Sequence, residues 1–259
     1  MEYVIYEKSE GVGAITINRP AKLNAITFEM LDEMWEVLQD IQGDRDVNVV
    51  LLAGAGRYFS AGADLSIVGS ITPETFRLRQ GRYWNRVFSE FEEMGKLTIA
   101  ALNGPALGGG LELALCCDLR YASEDATFSL PEINFGIVPD SGATVRLPWL
   151  IGVARAKELI LSGDTITAKQ AEDYGLVNRV FPRDSFAEEV RRVAVKMASR
   201  APLALGMGKK LIHRSFQQAD SRFGLEQAMD VQSALILTED YREAIDAYRE
   251  KRPPRFKGR

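Results

Sequence analysis

Hydrophobic residues in the first part of the chain occur in short blocks and at helical spacing, which predicts strands alternating with helices. Residues 3–7 and 12–17 are apolar-rich runs on either side of a turn that contains Gly11, a pattern typical of a β-hairpin. Residues 28–41 carry apolar side chains three or four positions apart, which predicts an amphipathic helix. The apolar run 47–53 then predicts a buried strand.

The next hundred residues continue this alternation and add a glycine-rich break. Residues 73–93 have a helical pattern, and residues 97–102 form a second apolar run that predicts a buried strand. The break that follows leads into the apolar run 111–115. Residues 119–122 and 127–129 are then predicted to form a short pair of strands.

From residue 142 onward the pattern is mainly helical, apart from a predicted strand at residues 176–180. Three predicted helices follow one another without intervening strands: 185–198, 203–215 and 225–237. The sequence therefore predicts an α/β core over residues 1–200 and a helical region over residues 201–259, which is either a small domain or an oligomerisation element.

Composition narrows the class of protein. The chain has 259 residues, of which 46% are hydrophobic and 26% charged, and its net charge of −4 disfavours a nucleic-acid partner. No run reaches the roughly 18 apolar residues of a membrane span, and the acidic start differs from a signal peptide. Cys116 and Cys117 are adjacent and therefore poor disulfide partners, so a cytoplasmic protein is expected.

Several kinds of site are disfavoured by what the chain contains. It has one histidine, His213, which lies in a helical basic stretch and is expected on a helix surface rather than in a zinc site or a hydrolase triad. The glycine-rich segment Gly54-Ala55-Gly56 follows a predicted strand, but Phe59 stands where a dinucleotide fingerprint needs its third glycine. A nicotinamide enzyme is therefore a weak alternative.

Two loop-to-helix junctions are more informative. Residues 59–65 follow the predicted strand 47–53, and residues 103–112 follow the predicted strand 97–102. Both loops are rich in small residues, whose backbone N–H groups can approach a ligand closely. Either loop alone could be a simple tight turn, but two loops after consecutive buried strands favour one shared site that stabilises an oxyanion.

Two glutamates lie beside these loops. Glu112 interrupts an apolar run, where a carboxylate is costly unless it is paired or protonated, although the start of a helix would also favour it. Glu132 follows a predicted strand and Pro131, and by itself reads as an ordinary loop carboxylate. Near oxyanion donors, two glutamates suit the addition of water, or the movement of a proton, beside a carbonyl group.

The whole chain resembles the crotonase, or enoyl-CoA hydratase/isomerase, family. The motifs that carry the resemblance are Asn18-Arg19-Pro20, Leu23-Asn24-Ala25, Phe59-Ser60-Ala61-Gly62-Ala63-Asp64, Asn103 through Ala114, Leu130-Pro131-Glu132, Ser162-Gly163 and Gly175-Leu176-Val177. The resemblance implies an α/β spiral of repeated β-β-α units with a helical C-terminal trimerisation region. It also implies homotrimers, often paired as homohexamers, an acyl-CoA thioester substrate, and no metal or cofactor besides the CoA of the substrate.

The resemblance also assigns roles to individual residues. It places the oxyanion hole at the N–H groups of Ala63 and Gly109, and the two catalytic carboxyls at Glu112 and Glu132. It implies that Ala61, Gly62, Asp64 and Leu65 line the pocket of the CoA adenine, and that Tyr248 and Lys251 reach the CoA of another subunit.

Two positions depart from the hydratase pattern. Ser66 stands where many hydratases have a lysine near CoA, and Asp140 replaces a glycine, as in several isomerases of the family. The leading interpretation is an enoyl-CoA hydratase, a hydro-lyase of fatty-acid or related acyl-CoA degradation. The alternatives are an enoyl- or dienoyl-CoA isomerase that uses Glu132 or Asp140, and a non-catalytic CoA- or RNA-binding relative. Asp140 could instead cap the helix that follows it.

Overall fold

The computed structural model describes residues 1–68, 72–79, 83–215 and 221–259. The strands are β1 (Val4–Ser9), β2 (Val12–Ile17), β3 (Val49–Gly54), β4 (Leu97–Leu102), β5 (Ala106–Leu107), β6 (Leu119–Ser123), β7 (Thr127–Ser129), β8 (Ile166–Thr167) and β9 (Arg179–Phe181). The α-helices are α1 (Phe28–Gly43), α2 (Leu65–Val68), α3 (Pro73–Arg79), α4 (Asn85–Glu93), α5 (Gly109–Leu115), α6 (Ala143–Ile151), α7 (Val153–Ser162), α8 (Ala168–Tyr174), α9 (Phe186–Ala198), α10 (Pro202–Ser215), α11 (Ser221–Ile236) and α12 (Glu239–Glu250).

Six strands form the main sheet in the order β1-β2-β3-β4-β6-β9. The predicted hairpin is confirmed, because β1 pairs with β2 in antiparallel fashion; the other neighbouring strands pair in parallel. The carboxyl ends of β3 and β4 are therefore side by side, since both strands run in the same direction. This arrangement brings the two glycine-rich loops to one edge of the sheet.

A second sheet of three short strands has the order β5-β7-β8. The predicted pairing of residues 119–122 with residues 127–129 is wrong, because β6 belongs to the main sheet and β7 pairs with β5. Both segments are strands, but the turn between them carries the chain from one sheet to the other. Strand periodicity identifies a strand without identifying its partner.

Helix α1 shows why the helical predictions succeed. Thr27 caps its first turn by accepting a hydrogen bond from the amide of Met30 at 3.3 Å. The apolar side chains that predicted the helix are buried in the main core: Met30, Leu31, Met34, Val37, Leu38 and Ile41. The predicted helix over residues 73–93 corresponds to α3 and α4, and its residues 80–82 lie outside the described part of the chain.

Helix α10 is attached to the α/β core by a buried cation. Lys209 Nζ lies 2.9 Å from Asp118 Oδ2 and donates to the carbonyl oxygens of Phe91 and Lys96 at 2.8 and 3.1 Å. His213 lies one turn further along α10, partly exposed, with Nε2 3.4 Å from Asp118 Oδ1. In the described residues after 201 the chain forms three helices, α10, α11 and α12, as expected, and ends in a non-helical tail. The domain boundary at residue 200 stays a prediction.

Candidate active site

The loop after β3 is fastened by two buried polar side chains. The Asn24 amide group donates to the carbonyl oxygens of Ala55 and Tyr58 at 2.9 and 2.7 Å. Ser60 Oγ donates to Asn24 O at 2.8 Å and accepts from the Gly62 amide at 3.1 Å. Because every one of these groups is satisfied by hydrogen bonds, burial of Asn24 and Ser60 fixes the path of the backbone that leads to residue 63.

The hydrogen bonds around Ala63 determine where its amide points. Ile26 N donates to Gly62 O at 2.8 Å, and Asp64 N donates to Ile26 O at 3.0 Å, so Ile26 and Ala63 form a parallel bridge. In such a bridge the middle residue directs its own N–H away from the partner strand. Gly109 lies nearby, because a methyl group on its Cα would be 3.6 Å from Ala63 N.

The second loop, residues 103–112, requires its glycines because neighbouring backbone atoms and an aromatic ring occupy the space that side chains would need. Gly108 has φ 49° and ψ −126°, a conformation that side-chain-bearing residues rarely adopt. A Cβ on Gly109 would lie 2.9 Å from the Trp84 ring, and a Cβ on Gly110 would lie 2.5 Å from Ser60 O. Gly109 begins α5, so its N–H has no acceptor within its own helix and is available to a ligand.

Glu112 lies in α5 and is buried, with 2% of its surface exposed. Its Oε1 accepts hydrogen bonds from the amides of Ser141 and Ala143, at 2.9 and 3.0 Å, at the N-terminus of α6. The pKa of this carboxyl is raised to about 7, mainly because burial disfavours the charged form; the charges of Asp140 and Glu132 also raise it, and the two amides lower it. Glu112 is therefore held in one orientation and titrates near neutral pH.

Glu132 lies in a 3-10 helix over Pro131–Phe135 and is half-buried. Its Oε1 points toward Gly108, since a Cβ on that glycine would be 2.8 Å away. Its Oε2 is buried and accepts no hydrogen bond from the described residues. Burial, and then the charge of Asp140, raise its pKa. The site thus has one carboxyl fixed by backbone donors and a second with an oxygen left for a ligand.

Asp140 is exposed and does not cap the helix that follows it. The residue at the N-cap of α6 is Gly142, which has no side chain, and the carboxyl that accepts from the Ser141 and Ala143 amides is that of Glu112, so the cap interpretation is wrong. Asp140 accepts a hydrogen bond from Ser141 Oγ at 3.3 Å. Its charge acts on both glutamates, since it raises the pKa of each. The structure therefore places Asp140 within electrostatic reach of the carboxyl pair.

The predicted CoA-binding segment at residues 61–65 joins the site directly. Asp64 forms an ion pair with Arg19 at 2.6 Å and accepts from Ser66 N and Oγ at 3.0 and 2.6 Å, which holds its pKa well below the usual range. Its carboxylate thus tightens the loop. Ala61 is half-buried, Gly62 is buried, and Leu65 exposes 68% of its surface.

Tyr248 and Lys251 lie elsewhere in this chain. Tyr248 exposes 85% of its surface on α12, and Lys251 ends that helix in a left-handed conformation with φ 54°. The buried Asp240 of α12 accepts hydrogen bonds from the amides of Lys257 and Gly258, at 2.6 and 2.9 Å, and so holds the C-terminal tail. Within this chain α12 packs against α11.

Sequence reasoning missed the groups that hold Glu112. The donors are the backbone amides of Ser141 and Ala143, whose chemistry is common to nearly every residue type. The available signal was Gly142 immediately before a helical pattern, because the first amides of a helix lack intrahelical acceptors. Trp84, whose ring lies against Gly109, was also missed, because nothing in the helical pattern of residues 73–93 singles it out.

The chain is similar to known proteins over nearly its whole length. Residues 7–259 match the family model described as Enoyl-CoA hydratase/isomerase. The chain is 39% identical over 260 residues to the 2,3-dehydroadipyl-CoA hydratase of Escherichia coli (strain K12), covering 100% of both chains. It is 40% identical over 250 residues to the short-chain-enoyl-CoA hydratase of Clostridium acetobutylicum, covering 96% of this chain and 95% of that one.

Solved structures agree in fold. The crystal structure of an enoyl-CoA hydratase from Bacillus anthracis matches with a TM-score of 0.95 and 37% identity, and covers 99% of this chain and 100% of that one. A structure from Geobacillus kaustophilus HTA426, named as an enoyl-CoA hydratase subunit, matches with a TM-score of 0.93 and 35% identity, covering 99% and 98%. Separately, none of the helices in the described ranges is long and apolar enough to cross a membrane.

Proposed function

Because the chain belongs to the enoyl-CoA hydratase/isomerase family, we propose that it is a hydro-lyase that adds water across the 2,3 double bond of an acyl-CoA thioester. The crotonase resemblance and the expected α/β fold with C-terminal helices are confirmed by the family match and the solved structures. The observation that carries the proposal is the pair of carboxyls near the N-terminus of α5. Glu112 is held by two backbone amides, and Glu132 Oε2 has no hydrogen-bond partner among the described residues.

The thioester oxygen is held by the amides of Ala63 and Gly109 in the proposed mechanism. Negative charge moves onto this oxygen as a bond forms at Cβ, and backbone donors already in place stabilise it. Removal of one such donor typically costs about 2.7–4 kcal/mol of transition-state stabilisation. The direction of the Ala63 N–H and the position of Gly109 at the start of α5 support this assignment.

Water is oriented by Glu112 and Glu132 together. Its oxygen attacks Cβ while the electron pair of the double bond moves toward the thioester carbonyl, and Glu132 transfers the proton that arrives at Cα. The hydroxyl proton released from water returns to the carboxyl pair, which balances the reaction. Because the charge of Glu132 contributes to the raised pKa of Glu112, we treat the two carboxyls as one titrating unit in this mechanism. Because hydration involves no net redox change, the proposal requires no cofactor besides the substrate's CoA.

The substrate class follows from the relatives' names. One relative is named for 2,3-dehydroadipyl-CoA and another for short-chain enoyl-CoA, so we assign this chain to fatty-acid or related acyl-CoA degradation. A cytoplasmic location goes with this role and is consistent with Cys116 and Cys117, which are both buried and free. Hydration of 2-enoyl-CoA by the purified protein tests the proposal, and CoA or RNA binding without turnover would favour a non-catalytic relative.

Double-bond isomerisation is the second candidate activity, because Asp140 stands within electrostatic reach of both glutamates. If Asp140 is a proton shuttle, Asp140→Asn should abolish migration of the double bond in 3-enoyl- or dienoyl-CoA and largely spare hydration. If Asp140 acts only through its charge, Asp140→Asn should lower the pKa of Glu112 and shift the pH profile of hydration downward. Assays of both reactions across pH with wild type and variant separate the two. Robust isomerisation by the wild type without hydration would reject the preference for a hydratase.

The C-terminal helices are proposed to build a homotrimer or a pair of trimers, in which Tyr248 and Lys251 complete the CoA site of a neighbouring subunit. Two observations support a role for these residues toward another chain. Tyr248 is exposed, and α12 is remote in sequence from the glutamates and packs against α11. The region over residues 201–259 would then be the oligomerisation element.

Lys251→Ala should raise KM for CoA esters more than it lowers kcat, because a cation near a CoA phosphate contributes to binding and not to the chemical step. Lys169→Ala is the matched control, since Lys169 is an exposed lysine whose ion pairs with Glu172 and Asp173 lie within α8. Light scattering on both variants should give the trimer or hexamer mass. A fully active monomer would rule out a site shared between subunits.

A further inference from the structure

Arg146 of α6 is bound on both sides of its guanidinium group. Its Nε donates to Glu92 Oε2 at 2.9 Å, and a second nitrogen reaches the same carboxylate oxygen at 2.5 Å. Its third nitrogen donates to the carbonyl oxygen of Ser141 at 3.2 Å. The Arg146 and Glu92 side chains are 20% and 35% exposed, so this ion pair is partly shielded from water.

Gly142 makes room for this contact. It has φ 121°, and a Cβ at this position would lie 1.6 Å from the Arg146 nitrogen that bonds Ser141. The guanidinium group therefore occupies the space of a side chain at residue 142. The backbone from Ser141 to Ala143 is wrapped against the cation, and only glycine permits that path.

The same backbone segment holds the Glu112 carboxyl through two of its three residues. The carbonyl of Ser141 accepts from Arg146, while the amides of Ser141 and Ala143 donate to Glu112 Oε1 at 2.9 and 3.0 Å. We infer that Arg146 and Glu92 are positioning residues, which fix this backbone segment and through it the orientation of the Glu112 carboxylate. The inference rests on the proposed function, since it assigns Glu112 to hydration.

The charges that face Glu112 are consistent with this role. Asp140 and Glu132 disfavour its ionised form, whereas Arg146 and Glu112 attract each other. Loss of Arg146 would remove that attraction and loosen the two amides that favour the carboxylate. Both effects raise the pKa of Glu112, so the acid limb of the pH profile should move to higher pH.

A double-mutant cycle separates positioning from simple structural support. Arg146→Met should lower kcat for 2-enoyl-CoA by about 10- to 100-fold with little change in KM, because small displacements of a catalytic group are costly. In a Glu112→Gln background, Arg146→Met should lower kcat less than about threefold further, because residues that act as a unit are non-additive. Glu92→Gln should give a smaller loss of the same kind, and it carries the cycle if Arg146→Met fails to fold.

Arg183→Met is the control, since Arg183 forms a 2.6 Å ion pair with Asp125 away from this loop. It should leave kcat and the pH profile unchanged. Equal losses from Arg146→Met with and without Glu112, or an unshifted acid limb, would overturn the inference while leaving the proposed function intact. Absence of hydration by the wild type would reject the proposed function itself, so the two failures are distinguishable.

Discussion

Replacing Glu132 with glutamine is expected to lower the turnover of 2-enoyl-CoA hydration by about 10²–10⁴-fold, the range for loss of a general acid or base. Glutamine keeps the size of the side chain, but its amide is far too weak an acid or base to transfer a proton at Cα. Because Glu132 Oε2 has no partner among the described residues, the substitution breaks no hydrogen bond at that oxygen. The measurement is steady-state kinetics on the Glu132→Gln variant, once its fold has been confirmed. Near-normal turnover would reject the role of Glu132.

Glu112→Gln should lower turnover by a similar factor and also change stability with pH. The pKa of Glu112 in the folded protein is about 7, above the usual 4.5, so the folded state binds more protons than the unfolded state between these values. Stability is therefore lost as pH rises from about 4.5 to about 7, by at most about 3 kcal/mol. Glu112→Gln should remove this loss and be the more stable protein at pH 8.

Urea unfolding at pH 4.5 and pH 8 provides the check on Glu112. The free energy of unfolding of Glu112→Gln minus that of wild type should be larger at pH 8 than at pH 4.5. Such a variant, stable and inactive, would separate the chemical role of the carboxyl from any role in folding. A variant that is less stable at pH 8 than at pH 4.5, relative to wild type, would contradict the raised pKa.

Gly108→Ala is also expected to have a large effect on turnover. The added methyl group would lie 2.8 Å from Glu132 Oε1, and the backbone at φ 49° disfavours any side chain. Relief of either problem displaces the Glu132 carboxyl or the neighbouring Gly109 amide. We expect turnover to fall by at least about 10²-fold, as for loss of an oxyanion donor or a misplaced catalytic group.

Gly152→Ala is the matched control for Gly108→Ala. Gly152 also has positive φ, 82°, but a Cβ there would meet no atom within 4 Å. The control therefore imposes backbone strain of about 1–2 kcal/mol without a clash. It should lower the melting temperature and leave turnover largely unchanged. Wild-type turnover by Gly108→Ala, or an equal loss by Gly152→Ala, would contradict the contact between Gly108 and Glu132.

Hydrophobic patterns in the sequence predicted the helices that bury one face and the strands that are fully buried. The six side chains that predicted α1 are those that it buries, and the apolar runs at residues 47–53 and 97–102 became β3 and β4. These predictions succeed because periodicity reports directly which face meets the core. The same logic predicted that two loops after neighbouring buried strands would meet, as residues 63 and 109 do.

The hydrophobic pattern of the sequence did not predict which strands pair with one another, or which polar groups hold the side chains of the site. The separation of β6 from β7 depends on which strand edges are free, and no local feature of residues 119–129 encodes that. Asp140 has a residue type that caps helices, but the cap position belongs to Gly142 because Arg146 needs the space beside it. The donors to Glu112 are backbone amides, which only the folded chain brings to it.

Hydratase activity is best tested by one assay of the purified wild-type protein against 2-enoyl-, 3-enoyl- and dienoyl-CoA thioesters. Loss of the absorbance of the conjugated thioester, with a product that has gained one water, reports hydration; migration of the double bond leaves the mass unchanged. We expect 2-enoyl-CoA to be converted to 3-hydroxyacyl-CoA faster than either other substrate is isomerised. Isomerisation of 3-enoyl- or dienoyl-CoA without detectable hydration would contradict it.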